Sequence, residues 1–239
     1  MNVVPKHDLV VRGDIVLPDG SVLRSGWLGV TDGLVTATSP TPLSGTATVD
    51  AVGSLVLPGF VDAHVHTRSC VDEGITATTR AAAAGGTTTV IDMPCDKPAR
   101  PVDSRERFQA KVEDIGGEAV VDVGLYATFP PQGDLRMIAE LAEAGAAGFK
   151  VSTIEVDPIR FPRIPDGRLY AAFGEIAGTG LPVAAHQENQ EIIFAQAEAF
   201  QARGDTAPID HALSRPPVAE AEAAGRLLEL AYWTGARLH

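Results

Sequence analysis

Cysteine is scarce in this chain: Cys70 and Cys95 are the only two in 239 residues. Two thiols cannot build a disulfide framework, so a reducing compartment is expected and stability must come from a packed core. Aromatic residues make up 5%, too few for a surface on which bases would stack. Positive charge is also short. Lysine and arginine number 19 against 31 acidic residues, a net charge of −12. Such a field repels a nucleic-acid backbone or an anionic membrane surface, so neither is an expected partner. No apolar run approaches the ~18 residues of a membrane span. The opening residues, MNVVPKHDLVVRGD, lack the basic-then-apolar order of a secretory leader. A cytoplasmic location is the expectation these absences leave. Repeats and low-complexity tracts are missing as well. What is present is ordinary globular composition, 45% hydrophobic and 21% charged. Its abundant alanine and glycine suit helices packed closely on a sheet.

Residues 1–54 read as a small all-β unit. Leu9–Val11, Ile15–Leu17, Val22-Leu23, Trp27–Val30 and Leu34-Val35 are short apolar runs. Pro18-Asp19-Gly20 and Asp32-Gly33 punctuate them as turns. Residues 55–239 change rhythm. An apolar run over 55–61 precedes a helix over 75–84, which Gly85-Gly86 stops. Strands are predicted over 87–91, 119–125, 146–151 and 181–185, with a sixth beginning at Ala236. Helices are predicted over 104–115, with Ser104 as N-cap, and over 134–144, with Asp134 as N-cap and Gly145 just past the end. Further helices fall over 166–177, 188–202 and 218–234. Strands alternating with helices are parallel βα units. No G-x-G-x-x-G follows the first strand, so a dinucleotide-binding doubly wound sheet is unsupported. A (β/α)₈ barrel typically takes ~250 residues. From residue 55 only 185 remain, so either the fold is not a full barrel or the sequence is a fragment of one.

Three predicted strands end in metal-compatible side chains. His64 and His66 are two residues apart and so share a face of the first strand. A bare H-x-H is usually incidental, but this one directly follows an apolar strand carrying Pro58-Gly59. Lys150 ends the strand Ala-Ala-Gly-Phe-Lys-Val. In a desolvated mouth its neutral amine can take up carbon dioxide and become a carbamate, a two-oxygen metal ligand. An ion pair with one of the many carboxylates is an equal alternative. His186 ends a third strand. His, His, Lys and His would suit zinc or another divalent ion that accepts imidazole and oxygen. Arg68 lies two residues past His66, where a guanidinium could hold a substrate carboxylate. The alternative is a salt bridge to Asp72 or Glu73. His7 reads as exposed and His211 as part of a loop. Cys95 reads as a packed thiol at least as readily as a mouth residue. Glu220, Glu222 and Glu229 read as a solvated helix face.

The segments PGFVDAHVH (58–66), AAAAGGTTTVIDMP (81–94), GFKV (148–151), HQEN (186–189) and SRPPVAEAEA (214–223) together resemble the cyclic amidohydrolases of the amidohydrolase superfamily. These include allantoinases, dihydroorotases, and hydantoinases or dihydropyrimidinases. The segments stand in family order, and their combination is specific where no single piece is. The resemblance implies a β-sandwich, of which residues 1–54 would be a portion, and a metal-bearing (β/α)₈ barrel. Here that barrel would be incomplete, with about strands one to six.

The same resemblance implies roles. His64 and His66 match the first-strand metal ligands. Lys150 matches the carboxylated lysine bridging two zinc ions, and His186 matches the fifth-strand ligand. The sixth-strand histidine would fall just past His239. The eighth-strand aspartate, which shuttles the proton, has no counterpart, so the chain resembles the N-terminal half of a family enzyme. A small-molecule cyclic amide or ureide is the implied substrate, and a homo-oligomer the implied state of the complete protein. Substrate signals divide. Arg68 fits the dihydroorotase H-x-H-x-R. Met93-Pro94-Cys95-Asp96, which places Asp96 at the allantoinase Asn position, and Phe161–Ile164 look more allantoinase-like. Hydantoinases carry a Tyr shortly after the lysine strand, where this chain has Ser152–Glu155. Arg68 and Asp96 are thus candidate substrate contacts and allantoinase-like hydrolysis is the leading expectation. A truncated or non-catalytic relative is the alternative of another class.

Overall fold

A computed structural model describes residues 7–70, 73–98 and 100–239. Asp72, the proposed partner of Arg68, lies outside the described residues. The chain divides into two compact units, one up to Gly59 and one from Phe60.

The first unit is one four-stranded sheet. Its strands are β1 (His7–Val16), β2 (Val22–Thr31), β3 (Leu34–Ser39) and β4 (Gly45–Val56). They lie in the order β3-β2-β1-β4, with β1–β2 and β2–β3 antiparallel and β4 parallel to β1. Both turn signals are realised. Asp19 Oδ1 accepts from the amide and the hydroxyl of Ser21, at 2.9 and 2.6 Å. Asp32 and Gly33 both take positive φ, 52° and 74°, the conformation of a tight hairpin whose twist matches its strands. The run over 55–61 does not form one strand. Leu55 and Val56 complete β4, and the next strand starts at Phe60. Pro58, which has no amide hydrogen to give a ladder, lies in the break.

In the second unit the chain passes through β5 (Phe60–Val65), α1 (Ile75–Ala84), β6 (Thr87–Asp92), β7 (Cys95–Asp96), β8 (Arg100–Pro101), α2 (Arg105–Glu118), β9 (Asp122–Ala127) and α3 (Met137–Glu143). It continues through β10 (Gly148–Ser152), α4 (Asp166–Thr179), β11 (Pro182–His186), α5 (Gln190–Ala202), α6 (Pro208–Leu213), α7 (Pro217–Thr234) and β12 (Arg237–Leu238). Strands β7 and β8 form a small antiparallel pair. The other six form a parallel sheet in the order β12-β11-β10-β9-β6-β5. A doubly wound sheet reverses its order at a switch point. Here each strand lies beside its predecessor in the sheet without reversal, and the sheet curls as part of a (β/α)₈ barrel.

The main core lies between helices and sheet, where Phe129, Phe149, Phe173, Leu169, Ile176 and Leu227 are each at most 1% exposed. All five residues of β10 are buried. Gly148 opens that strand under constraint. A Cβ there would come within 2.3 Å of the Tyr126 ring and 2.8 Å of the Pro182 carbonyl oxygen. Ser104 caps α2, its side chain accepting from the Arg107 amide, and Gly180 and Gly235 end α4 and α7 in the left-handed conformation. Asp134 does not cap a helix as expected. It accepts from the Arg136 amide at 2.9 Å in a local turn, and α3 begins only at Met137. His211 lies in α6 and not in a loop. No helix among the described residues is long and apolar enough to cross a membrane.

Candidate functional site

His64 is in the last turn of strand backbone and His66 follows β5 directly. The i, i+2 spacing brings their rings together, with centroids 5.5 Å apart. Lys150 is central in β10, opposite Ala184 of β11, and Ser152 stands opposite His186. Barrel active sites form at these C-terminal strand ends. His64, Lys150, His186 and His239 line one cavity of about 420 Å³, walled by Ala184 and Leu227 among others. His239 is not among the ligand candidates the sequence offers. Its backbone extends the β12 pairing, the amide donating to the Val183 carbonyl at 2.9 Å.

Burial lowers the proton affinity of three nitrogens at this mouth. Burial pushes His64 below the ordinary imidazole range, and the Lys150 charge adds to the effect. Burial does the same to His66, opposed by Asp92 and reinforced by Lys150. Lys150 is 5% exposed, and desolvation lowers its pKa. Among the described residues no carboxylate pairs with it, so the ion-pair alternative is not realised here. No three His, Cys, Asp or Glu side chains converge as a metal group among the described residues. His64 and His66 stand side by side, and His186 and Lys150 line the same cavity as His64; imidazole and amine nitrogens are donor types that a divalent ion such as zinc accepts.

The two expected substrate contacts lie elsewhere. Arg68 donates to Asp114 Oδ2 at 2.6 Å and to Glu118 Oε1 at 3.0 Å, both on α2. Asp96 is buried against Lys111, with which it forms an ion pair. Arg68 and Asp96 line a separate cavity of about 280 Å³. Cys95 packs with Met93, Tyr126, Phe161 and Ala184, and burial pushes its thiol up to about 12. The packed-thiol reading is the one realised.

Two groups escaped the sequence reading. The Lys111 ammonium contacts Asp92 Oδ2 at 2.9 Å and the Thr67 hydroxyl at 3.3 Å, and it pairs with Asp96. Thr67, next to His66, in turn donates to Asp92 through its amide at 3.0 Å and its hydroxyl at 2.6 Å. The available signal was Lys111 sharing a helical stripe with Phe108 and Ile115. The second group is Glu188 with Arg215, beside His186. These two residues are 27 apart in sequence, and nothing local pairs them.

The amidohydrolase family model matches residues 55–229. An allantoinase from Rubrobacter xylanophilus is 40% identical over 240 residues, covering 97% of this chain and 51% of that protein. An L-hydantoinase from Paenarthrobacter aurescens is 33% identical over the same shares. Among solved structures, an L-hydantoinase (dihydropyrimidinase) from Arthrobacter aurescens matches with a TM-score of 0.89 at 33% identity. It is covered to 52%, by 97% of this chain. The chain spans about half the length of the curated relatives it matches.

Proposed function

The chain belongs to the amidohydrolase family, and from that premise we propose that it carries the metal-binding part of an active site for opening a cyclic amide or ureide ring by hydrolysis. An allantoin-type ureide is the first substrate class. The observation that carries the reading is the buried Lys150, without a carboxylate partner among the described residues, in one cavity with His64 and His186, His66 standing beside His64.

In this reading His64, His66, His186 and Lys150 hold two divalent metal ions, zinc first. When bound, such ions would polarise the ring carbonyl and acidify a water to near-neutral pKa. The chain's own contribution begins with burial, which lowers the proton affinity of His64 and His66. Burial also disfavours the Lys150 ammonium. The neutral amine forms a nitrogen–carbon bond to carbon dioxide and releases one proton to solvent, leaving a carbamate whose single negative charge is shared by its two oxygens. That charge offsets the cations. The apolar walls, Ala184 and Leu227, limit water around the reacting carbonyl. No residue of this chain is assigned the proton transfer to the leaving nitrogen. Arg68 and Asp96 are read as supports of the β5 loop, because both are already ion-paired in a separate cavity. This removes the support that Arg68 gave to a dihydroorotase. A hydantoin is the second substrate class, favoured by the TM-score of 0.89 to an L-hydantoinase.

Elemental analysis of the chain after zinc and bicarbonate loading tests the reading. About two metals per chain are expected, falling in Lys150→Ala and His64→Ala. Failure of the wild-type chain to take up zinc, or full loading of Lys150→Ala, would falsify it. Ring-opening assays on allantoin, hydantoin and dihydroorotate then rank the substrates.

A further inference from the structure

His186 is half exposed, yet its ring is held. Its Nε2 lies 2.9 Å from Glu188 Oε2. Glu188 is 8% exposed, and both its oxygens accept from Arg215 Nη1, at 2.7 and 2.9 Å. One hydroxyl ties its backbone from both sides. The Glu188 amide donates to Thr153 Oγ1 at 2.9 Å, and Thr153 Oγ1 donates to the Glu188 carbonyl at 2.8 Å. The Thr153 amide donates to the His186 carbonyl at 3.0 Å. Thr153 directly follows β10, the strand of Lys150. The lysine strand and the histidine strand are thus locked at their ends through Glu188.

A carboxylate beside a guanidinium is an acceptor only. The hydrogen in the His186–Glu188 contact therefore sits on Nε2. Neutral His186 then has its lone pair on Nδ1, which has no hydrogen-bond partner among the described residues. We propose that Glu188, held in place by Arg215, is a positioning residue that fixes the tautomer and orientation of His186 so that Nδ1 is its donor atom toward the Lys150 cavity. Its purpose rests on the metal-site reading above, but the tautomer itself can be measured without metal. An outer partner that sets which ring nitrogen is free is the arrangement that orients histidine ligands generally.

Nitrogen-15 NMR of the metal-free, histidine-labelled chain, at a pH where imidazole is neutral, reads the tautomer directly. The Nε2–H form of His186 is expected in the wild type. Glu188→Gln, whose amide can donate or accept, should give a mixture. Glu188→Asp keeps the charge beside Arg215 while withdrawing the oxygen from Nε2, and should also lose the bias if the first variant does not fold. Zinc competition with a chelating dye gives the second readout. Glu188→Gln should weaken zinc binding about 10–100-fold and should add nothing in a His186→Ala background. An Nδ1–H tautomer in the wild type, an unchanged tautomer in the folded variants, or an equal zinc loss in both backgrounds overturns the proposal. A wild type that binds no zinc while its tautomer still depends on Glu188 would overturn the metal reading and leave this one standing.

Discussion

Lys111 and Lys150 are almost equally buried, at 3% and 5% exposure, and their surroundings are opposite. Lys111 meets two carboxylates and a hydroxyl, all buried with it. Lys150 meets none. Desolvating an ammonium costs several kcal/mol. Around Lys111 that cost is offset by paired charge, and the cluster fixes Thr67, the residue after His66. Around Lys150 no carboxylate among the described residues offsets it, and desolvation lowers the pKa of the side chain. Burial alone therefore does not say what a lysine is for. The partners separate a structural cation from a chemically available amine.

The most forceful way to break the comparison is Lys111→Met. It strands Asp92 and Asp96 in the interior without their counter-ion, and about 3–5 kcal/mol of stability should be lost, read by denaturant unfolding. A loss under about 1 kcal/mol, close to the size of a surface change, would mean the cluster is not a structural anchor. Lys150→Met is the matched experiment. It removes no pair and nearly conserves volume, so the change should stay within about 1.5 kcal/mol. Carbon-13 bicarbonate should give a carbamate signal in the wild type that this variant lacks. The smallest effect concerns the thiols. Cys70 is exposed and Cys95 is buried. With its pKa raised from 9.0 to about 12, Cys95 stays a protonated, unreactive thiol below that range. Iodoacetamide near pH 8 should label one of the two, identified by peptide mass. Because the native pKa is raised, the contribution of Cys95 to stability is complete below about 9 and is lost as pH rises toward about 12.

Much of this architecture can be read from residue pattern. The β/α alternation follows from apolar runs bounded by stops such as Gly85-Gly86 and Gly145, because those signals are local. The expected barrel class agrees with the unreversed strand order and with the hydantoinase match. The misplaced starts have local causes too. Asp134 satisfies the Arg136 amide in a turn, and the apolar run over 55–61 hides a strand break around Pro58. In the site, the His64/His66 spacing is visible because i and i+2 share a strand face. Charge partners are not visible. Arg68 finds Asp114 and Glu118, 46 and 50 residues downstream, and Lys111 reads as an ordinary polar helix residue until the sheet is laid against it. Pairing across such distances exists only once the layers are assembled.

The unreversed strand order also bears on how the second unit is assembled. Each new strand joins the one laid down before it, closing loops that run from about 22 residues between β9 and β10 to about 55 between β11 and β12. Closure entropy grows only logarithmically with loop length, so these steps differ by less than about 1 kcal/mol. Assembly can therefore proceed as a relay in the direction of synthesis. Strand β5, with His64 near its end and His66 just after it, comes first, the lysine strand later, and Thr153 and Glu188 clasp the lysine and histidine strands only after β11 has docked.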